Sequence, residues 1–182
     1  MTVSYAKDFY DIPESLSNNP ELKRKVLDLV QYEPIAGKVT TGGERLEDFR
    51  EILIDFFDLR IDLNTAITET EDKLNRNFSM YSGDNRVFAK GWSDRLVRTQ
   101  VSRFYNQAVL QLIIDNGSDE CRIEHSANED QGSKCSQQLA GTIQSASVML
   151  QRLTSSYGDG NWGRELKLPE HPHCTHTFSP VS

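Results

Sequence analysis

The three cysteines and four histidines of this chain all lie between Cys121 and His176, and the first 120 residues contain neither. Thiol and imidazole groups, the ligands that zinc prefers, are therefore confined to one region. The region begins close to a turn signal, Asn116-Gly117-Ser118. This distribution predicts a helical part that has nothing to offer such a metal, followed by a section that folds around a Cys/His cluster.

Length and charge limit the class of protein. With 182 residues, 37% of them apolar, the chain is long enough to bury a core without disulfides, so we expect one domain or one domain with a helical extension. A formal net charge of -7 argues against a module that coats nucleic acid and gives no indication of DNA contact. An odd number of cysteines favours reduced thiols that are available to a metal over a disulfide framework.

No targeting segment is recognisable in the sequence. Residues 1–11 lack the apolar stretch that follows a basic start in a signal peptide. The longest apolar runs are only a few residues long, so we expect no membrane span. These observations predict a protein that is made in the cytoplasm.

The first half of the chain has the apolar periodicity of helices. Asn19 is placed to cap a helix that has Pro20 at its first position and that stops before Pro34. The spacing of a capping box at 41–44 then predicts the start of one long helix that continues through Ile67.

The second half contains one strong helix and several weaker signals. A helix is predicted from near Ser93 to about Asp115, with its apolar positions buried. Residues 118–137 are polar and lack apolar periodicity. The apolar residues of 143–153 predict a short helix, and the glycines of 155–163 are typical of a loop. Residues 173–181 alternate enough to predict a closing strand. The expected fold is mainly α, with long N-terminal helices followed by a small α+β C-terminal region with short strands, clamped by a Cys/His metal site.

The closing strand sets the geometry of the predicted site. Side chains of an extended segment repeat every two residues, so Cys174 and His176 point to the same face. His171 and His173 then face away, unless the turn at Pro172 redirects them. A thiolate and an imidazole on one face of a strand supply half of a tetrahedral zinc site.

The other half of the zinc site is less well defined by the sequence. Cys135 is the best candidate for the third ligand and His125 for the fourth, with Cys121 or His171 as substitutes for His125. The spacing lacks the paired C-x-x-C of a zinc ribbon. We expect a structural zinc ion with four protein ligands and no open position for water.

A catalytic interpretation stays open as the alternative. The same His/Cys cluster could serve a metal-dependent nuclease or hydrolase, with Glu124 or Glu170 as the acid or base. However, the sequence has no His-Glu-x-x-His helix, nucleophile elbow or phosphate-binding glycine loop. We therefore expect no enzymatic activity.

Three motifs in the second half resemble those of the phage Mu protein F-like family of minor head, or head morphogenesis, proteins. The stretch RTQVSRFYNQA (Arg98–Ala108) resembles the family's R-T-E-x-x-R-x-Y-N-x-A helix. Cys135–Gly141 matches the second motif of the family, a Cys a few residues before a Gly. HPHCTH (His171–His176) matches the third, which is H-P-N-C-R-C or H-P-N-C-R-H near the end of the family's sequences. Thr177–Pro180 is similar to the ending of related phage minor capsid proteins. The resemblance covers the chain from about Asp94 onwards.

The resemblance implies a division at residue 92 and a role in the virion. Residues 1–92 would be an N-terminal helical region without a matching motif, and 93–182 a head-morphogenesis-like domain. The implied function is that of a structural protein in the head or neck of a tailed bacteriophage, present in several copies. Its implied partners are the portal protein, the major capsid protein and neck proteins. The chain departs from the family at His173, where Asn is usual, and at Thr175, where Arg is usual.

Overall fold

The computed structural model describes residues 4–182. Residues 1–3, which belong to the stretch where no signal peptide is expected, lie outside the described residues. The fold is mainly helical with one small antiparallel sheet in its C-terminal region, as the sequence predicts. The α-helices are α1 (Ile12–Asn18), α2 (Pro20–Tyr32), α3 (Arg45–Phe57), α4 (Leu63–Lys73), α5 (Trp92–Asp115) and α6 (Ala146–Tyr157). The strands are β1 (Glu120–Ile123), β2 (Thr142–Ser145) and β3 (Phe178–Pro180).

Helix α2 confirms the prediction made from its capping residues. The side chain of Asn19 accepts a hydrogen bond from the backbone N–H of Leu22, and Pro20 occupies the first helical position. The helix ends at Tyr32, two residues before Pro34, which cannot continue it.

The long helix predicted through Ile67 is wrong, because two helices occupy that stretch. Helix α3 ends at Phe57, and Leu59 then adopts a left-handed conformation with φ 65° that turns the chain. The side chain of Asp62 caps α4 by accepting from the N–H of Thr65. The predicted capping box also fails: Thr41 donates to the carbonyl of Gly37 and does not cap α3.

Helix α5 is the centre of the molecule. It begins and ends where the sequence predicts, and fifteen of its 24 residues are buried. Helices α2, α4 and α6 all pack against it. The buried set includes polar side chains such as Gln100, Arg103 and Asn106, so this helix also carries hydrogen bonds inside the core.

The sheet has the order β2-β1-β3, with both pairs antiparallel. Strand β1 lies within residues 118–137, where no strand was predicted. It has only four residues, which are too few to show an alternating apolar pattern. Strand β2 occupies the start of the helix predicted at 143–153, and Ile143 is 47% exposed there. Strand β3 is shorter than predicted because the carbonyl of Thr175 accepts from the N–H of Phe9 outside the sheet.

One hydrophobic core spans the described chain. Its buried residues run from Ala6 to Phe178 and come from every helix and from the sheet. Among residues 4–182, no helix combines the length and the apolar character that crossing a membrane requires.

Candidate metal centre

Two short segments bring the thiols and imidazoles together. Cys135 opens a π-helical turn, Cys135–Leu139, that lies between β1 and β2. The other groups come from the segment that precedes β3, where the N–H of Cys174 donates to the carbonyl of His171 at 3.0 Å and closes a turn. Because of this turn, His171 points to the same side as Cys174. The sequence predicted this arrangement only if a turn at Pro172 redirected His171.

Three distances between candidate ligand atoms are close to those found around a tetrahedral zinc ion. The Sγ atoms of Cys135 and Cys174 are 3.7 Å apart, and the Sγ of Cys135 lies 3.7 Å from the Nε2 of His171. The Sγ of Cys174 lies 3.8 Å from the Nδ1 of His176. Zinc–sulfur and zinc–nitrogen bonds of ordinary length in a tetrahedron place two sulfurs about 3.8 Å apart and a sulfur and a nitrogen about 3.5 Å apart.

Three of these residues form a compact group by themselves. The ligand atoms of Cys135, His171 and Cys174 all lie within 4.8 Å of one another, so the group could hold a metal ion. The Nδ1 of His176 borders the same group through Cys174. Two thiols and two imidazoles are a donor set that suits zinc and other borderline-soft metals.

Glu129 orients His176 for such a role. Its Oε2 lies 2.8 Å from the Nε2 of His176, and its Oε1 lies 2.8 Å from the Nδ1 of His125. A carboxylate that accepts from one ring nitrogen fixes the tautomer, so the lone pair of Nδ1 faces Cys174. Burial would raise the pKa of Glu129, but its hydrogen bonds with the two histidines lower it overall, which keeps the carboxylate ionised.

The two thiols have opposite pKa shifts. The hydrogen bond from the Cys174 thiol lowers the pKa of Cys135, although burial acts in the other direction. The same hydrogen bond, together with burial, raises the pKa of Cys174 well above its ordinary value. Hydrogen bonding to Cys135 raises the pKa of His171. A cation bound between the two sulfurs would stabilise the ionised form of both.

Burial limits the chemistry available to this cluster. Cys135, Cys174 and His176 are 0%, 3% and 1% exposed, and only His171 is half-buried. Cys174 contacts His176, and His176 contacts Glu129. A catalytic thiol makes the same kind of contacts with its general base and with the acid that orients the base. The sulfur of Cys174 is, however, shielded from solvent. The arrangement is therefore suited to holding an ion and joining two segments of the chain.

The structure places the other predicted ligands outside the group. The side chain of His125 is 65% exposed and bonds to Glu129. Cys121 is buried in β1, where its thiol donates to the carbonyl of Gln144, and burial raises its pKa to about 12. His173 is exposed. Glu124 and Glu170, the candidate acids of the catalytic alternative, are not members of the ligand group either.

The sequence analysis did not identify Glu129 and ranked His171 too low among the candidate ligands. His171 ranked below His125 because a regular strand would turn it away, and Pro172 was the signal for the opposite outcome. Glu129 had no recognisable signal, because its partners at 125 and 176 are brought together only by the tertiary fold.

The segment that carries the ligands also holds the N-terminal segment in place. The carbonyl of Thr175 accepts from the N–H of Phe9 at 2.8 Å, and the hydroxyl of Thr177 donates to the carbonyl of Ala6 at 2.6 Å. The buried carboxylate of Asp8 accepts from the hydroxyl of Ser126, which also contacts Thr175. Ala6 and Phe9 are therefore bonded directly to the segment that carries Cys174 and His176, and Asp8 is linked to it through Ser126.

No protein-family model, curated protein or solved structure matches the chain.

Proposed function

We propose that Cys135, His171, Cys174 and His176 bind one structural zinc ion. We further propose that the protein is a minor head protein of a tailed bacteriophage. The observation that carries the first proposal is the group formed by Cys135, His171 and Cys174, whose ligand atoms all lie within 4.8 Å of one another, with the Nδ1 of His176 3.8 Å from the Sγ of Cys174. This set takes His171 in place of His125 as the fourth ligand.

The ion would close a long loop of the chain. Cys135 and Cys174 are separated by 39 positions, and the segment between them includes β2, α6 and the 158–170 connection. Closing a loop of that length costs the chain entropy, which zinc binding can offset, since small zinc domains gain about 10–16 kcal/mol on binding the ion. The role of zinc is thus to fix the ligand segment against the π-helical turn.

The phage assignment is supported by the way in which the three motif stretches meet. The side chain of Asn106, within the first motif, accepts from the N–H of Phe178, just after the third. Cys135 of the second motif contacts His171 and Cys174 of the third. Motifs that are distant in sequence therefore belong to one structural unit, as a shared domain would require.

The proposed partners are the portal protein, the major capsid protein or neck proteins, and the proposed location is the virion. The net charge of -7 suits docking to protein better than contact with packaged DNA. The nuclease alternative receives less support, because it needs an open coordination position. The carboxylate nearest the ligands, Glu129, is already bonded to two histidines.

Metal content tests the zinc proposal. Elemental mass spectrometry of the purified, untagged protein should find one zinc ion per chain, with Cys135 and Cys174 protected from thiol reagents. Cys174→Ser should lose the zinc. The matched control is Cys121→Ser, a buried thiol outside the group, which should keep it. Equal zinc content in the two variants, or none in the native protein, would refute the proposal.

The phage proposal is tested separately by binding. The native protein should bind purified portal or capsid protein of the same phage in a sedimentation assay, and mass spectrometry of purified virions should detect it. Its absence from virions that contain portal and capsid proteins would overturn the assignment and leave the zinc site unaffected.

A further inference from the structure

A pocket with a polar lining lies between α6 and the segment that follows it. Its volume is about 340 Å³, which is within the range of pockets that bind small molecules. The N–H of Asn161 donates to the carbonyl of Ser155 at 2.8 Å and so holds the following segment against the end of the helix. Four positions on one face of α6 line the pocket: Val148, Gln151, Arg152 and Ser155. We call this space the α6 pocket.

Lys167 lines the α6 pocket from the opposite side, and its ammonium group has no protein partner. The residue is only 6% exposed, and a lysine that is buried to this extent is normally paired. Within residues 4–182, however, its Nζ makes no hydrogen bond and no ion pair. The ring of Trp162 lies 5.4 Å from it. A buried ammonium group needs acceptors, and the pocket is where an acceptor can reach it.

Arg152 supplies a second cation without a carboxylate partner. Its Nη1 donates to the carbonyl of Leu166 at 3.1 Å, which places the guanidinium beside the backbone that leads to Lys167. Its other nitrogens make no hydrogen bond to any described residue, and neither do the side chains of Gln151 and Ser155. Two cations, an amide and a hydroxyl therefore offer hydrogen bonds to one space.

Glu165 is the one acidic residue among the described residues that line the pocket. It is exposed, its carboxylate lies against Gly163, where a β-carbon would collide with it, and it forms no ion pair with Arg152 or Lys167. Residues 148–167, which form the whole pocket, carry three basic and two acidic side chains: Arg152, Arg164 and Lys167 against Asp159 and Glu165. The pocket is thus locally cationic by one charge on a chain whose net charge is -7.

This combination of donors suits a phosphate group. A phosphate monoester carries close to two negative charges above pH 7 and has three strong acceptor oxygens, whereas a carboxylate has one charge and two oxygens. Two cations can therefore be offset by one phosphate, and the remaining oxygen lone pairs can accept from the amide and the hydroxyl. Hydrogen bonds between ionised groups of this kind are the strong ones.

We propose that the α6 pocket binds the phosphate group of a small molecule, either free phosphate or a phosphate monoester. Lys167 and Arg152 bind its oxygens, and the side chains of Ser155 and Gln151 donate to the same group. The organic part of a monoester lies against Val148, an apolar residue that is 43% exposed. None of the four proposed metal ligands lines the pocket, so the inference depends neither on the zinc site nor on the phage assignment.

Three substitutions test the charges of the pocket. Lys167→Met keeps the apolar part of the side chain and removes the ammonium, and the fold should persist because that ammonium has no protein partner. Glu165→Gln removes the opposing charge at an exposed position. The matched control is Lys90→Gln, since Lys90 is an exposed lysine outside the pocket. Circular dichroism checks that each variant is folded.

Isothermal titration calorimetry at about pH 8 in a phosphate-free buffer gives the readout, with inorganic phosphate, phenyl phosphate and acetate as probes. The native protein and Lys90→Gln should bind one phosphate per chain with equal affinity, and acetate more weakly. Lys167→Met should bind phosphate at least about tenfold more weakly, because a hydrogen bond to a charged group is lost. Glu165→Gln should bind it roughly threefold more tightly, because a repulsive charge is removed.

The two phosphate probes distinguish the source of the group. Tighter binding of phenyl phosphate would identify a monoester, and tighter binding of inorganic phosphate would identify the free ion. A native protein that binds neither probe, or a folded Lys167→Met that binds phosphate as the native protein does, would overturn the proposal. If Lys167→Met does not fold, Glu165→Gln decides, since phosphate affinity that is unchanged or weaker in that variant contradicts a site at this pocket.

Discussion

Glu129 contacts two imidazoles at once, and only one of them belongs to the proposed ligand set. If its role is to orient His176, Glu129→Ala should weaken zinc binding roughly 10–100-fold, as loss of such an outer partner usually does. Competition with a fluorescent chelator measures the affinity. His125→Ala removes the other partner of Glu129 and should leave the affinity nearly unchanged. An equal loss in both variants would place His125 among the ligands.

Asn106 connects the central helix to the last strand. It is buried, its Oδ1 accepts from the N–H of Phe178 at 2.9 Å, and its Nδ2 donates to the hydroxyl of Ser102. Asn106→Ala should lower the free energy of unfolding by about 1–3 kcal/mol, because the N–H of Phe178 is left buried without an acceptor. Urea denaturation measures the change. Ser102→Ala keeps the bond to Phe178 and should have a smaller effect; the reverse order would contradict this account.

At the scale of elements, the ligand segment and the N-terminal segment should respond to zinc together. Phe9 bonds to Thr175 and Ala6 bonds to Thr177, so loss of order in the ligand segment removes two of the hydrogen bonds that hold the N-terminal segment. After chelation, hydrogen exchange should increase at residues 6–9 and 174–180, while α2 and α5 keep their protection. Exchange that increases only at 174–180 would show that the two segments are independent.

Helices were predictable where local chemistry defines them. Asn19 and Pro20 mark the start of α2, and the long apolar pattern of α5 defines both of its ends. The break between α3 and α4 was missed because Leu is an unusual residue at positive φ, so the sequence has no turn signal at Leu59. The sheet was largely missed because its strands have three or four residues each.

The candidate site was predictable in part for a related reason. Cys135, Cys174 and His176 were in the predicted set because composition and two-residue spacing act locally. The position of His171 depends on a turn, and that of Glu129 depends on the packing of a segment 47 positions away in sequence. Choosing between His125 and His171 therefore needed the tertiary structure.

For the whole molecule, zinc should stabilise the fold in a pH-dependent way. A ligand that binds only the folded state adds about 2.7 kcal/mol at 100 times its Kd. The pKa of Cys174 is well above its ordinary value without a metal, so zinc must displace a proton to bind that sulfur. Zinc affinity, and with it the added stability, should therefore increase as pH rises and be lost as pH falls. Thermal unfolding with and without zinc at several pH values checks this; a zinc-induced shift in Tm that grows on acidification would contradict it.

The pairing of Ala6 with Thr177 has a consequence for the order of events during synthesis. The two residues are 171 positions apart, so this hydrogen bond cannot form until the ribosome has added the residues between them and Thr177 itself. At about 5–20 residues per second on the ribosome, this delay lasts roughly ten to thirty seconds. During that time the N–H of Phe9 likewise lacks its acceptor, the carbonyl of Thr175. The N-terminal segment can thus meet Tyr105 well before it meets Thr175 and Thr177.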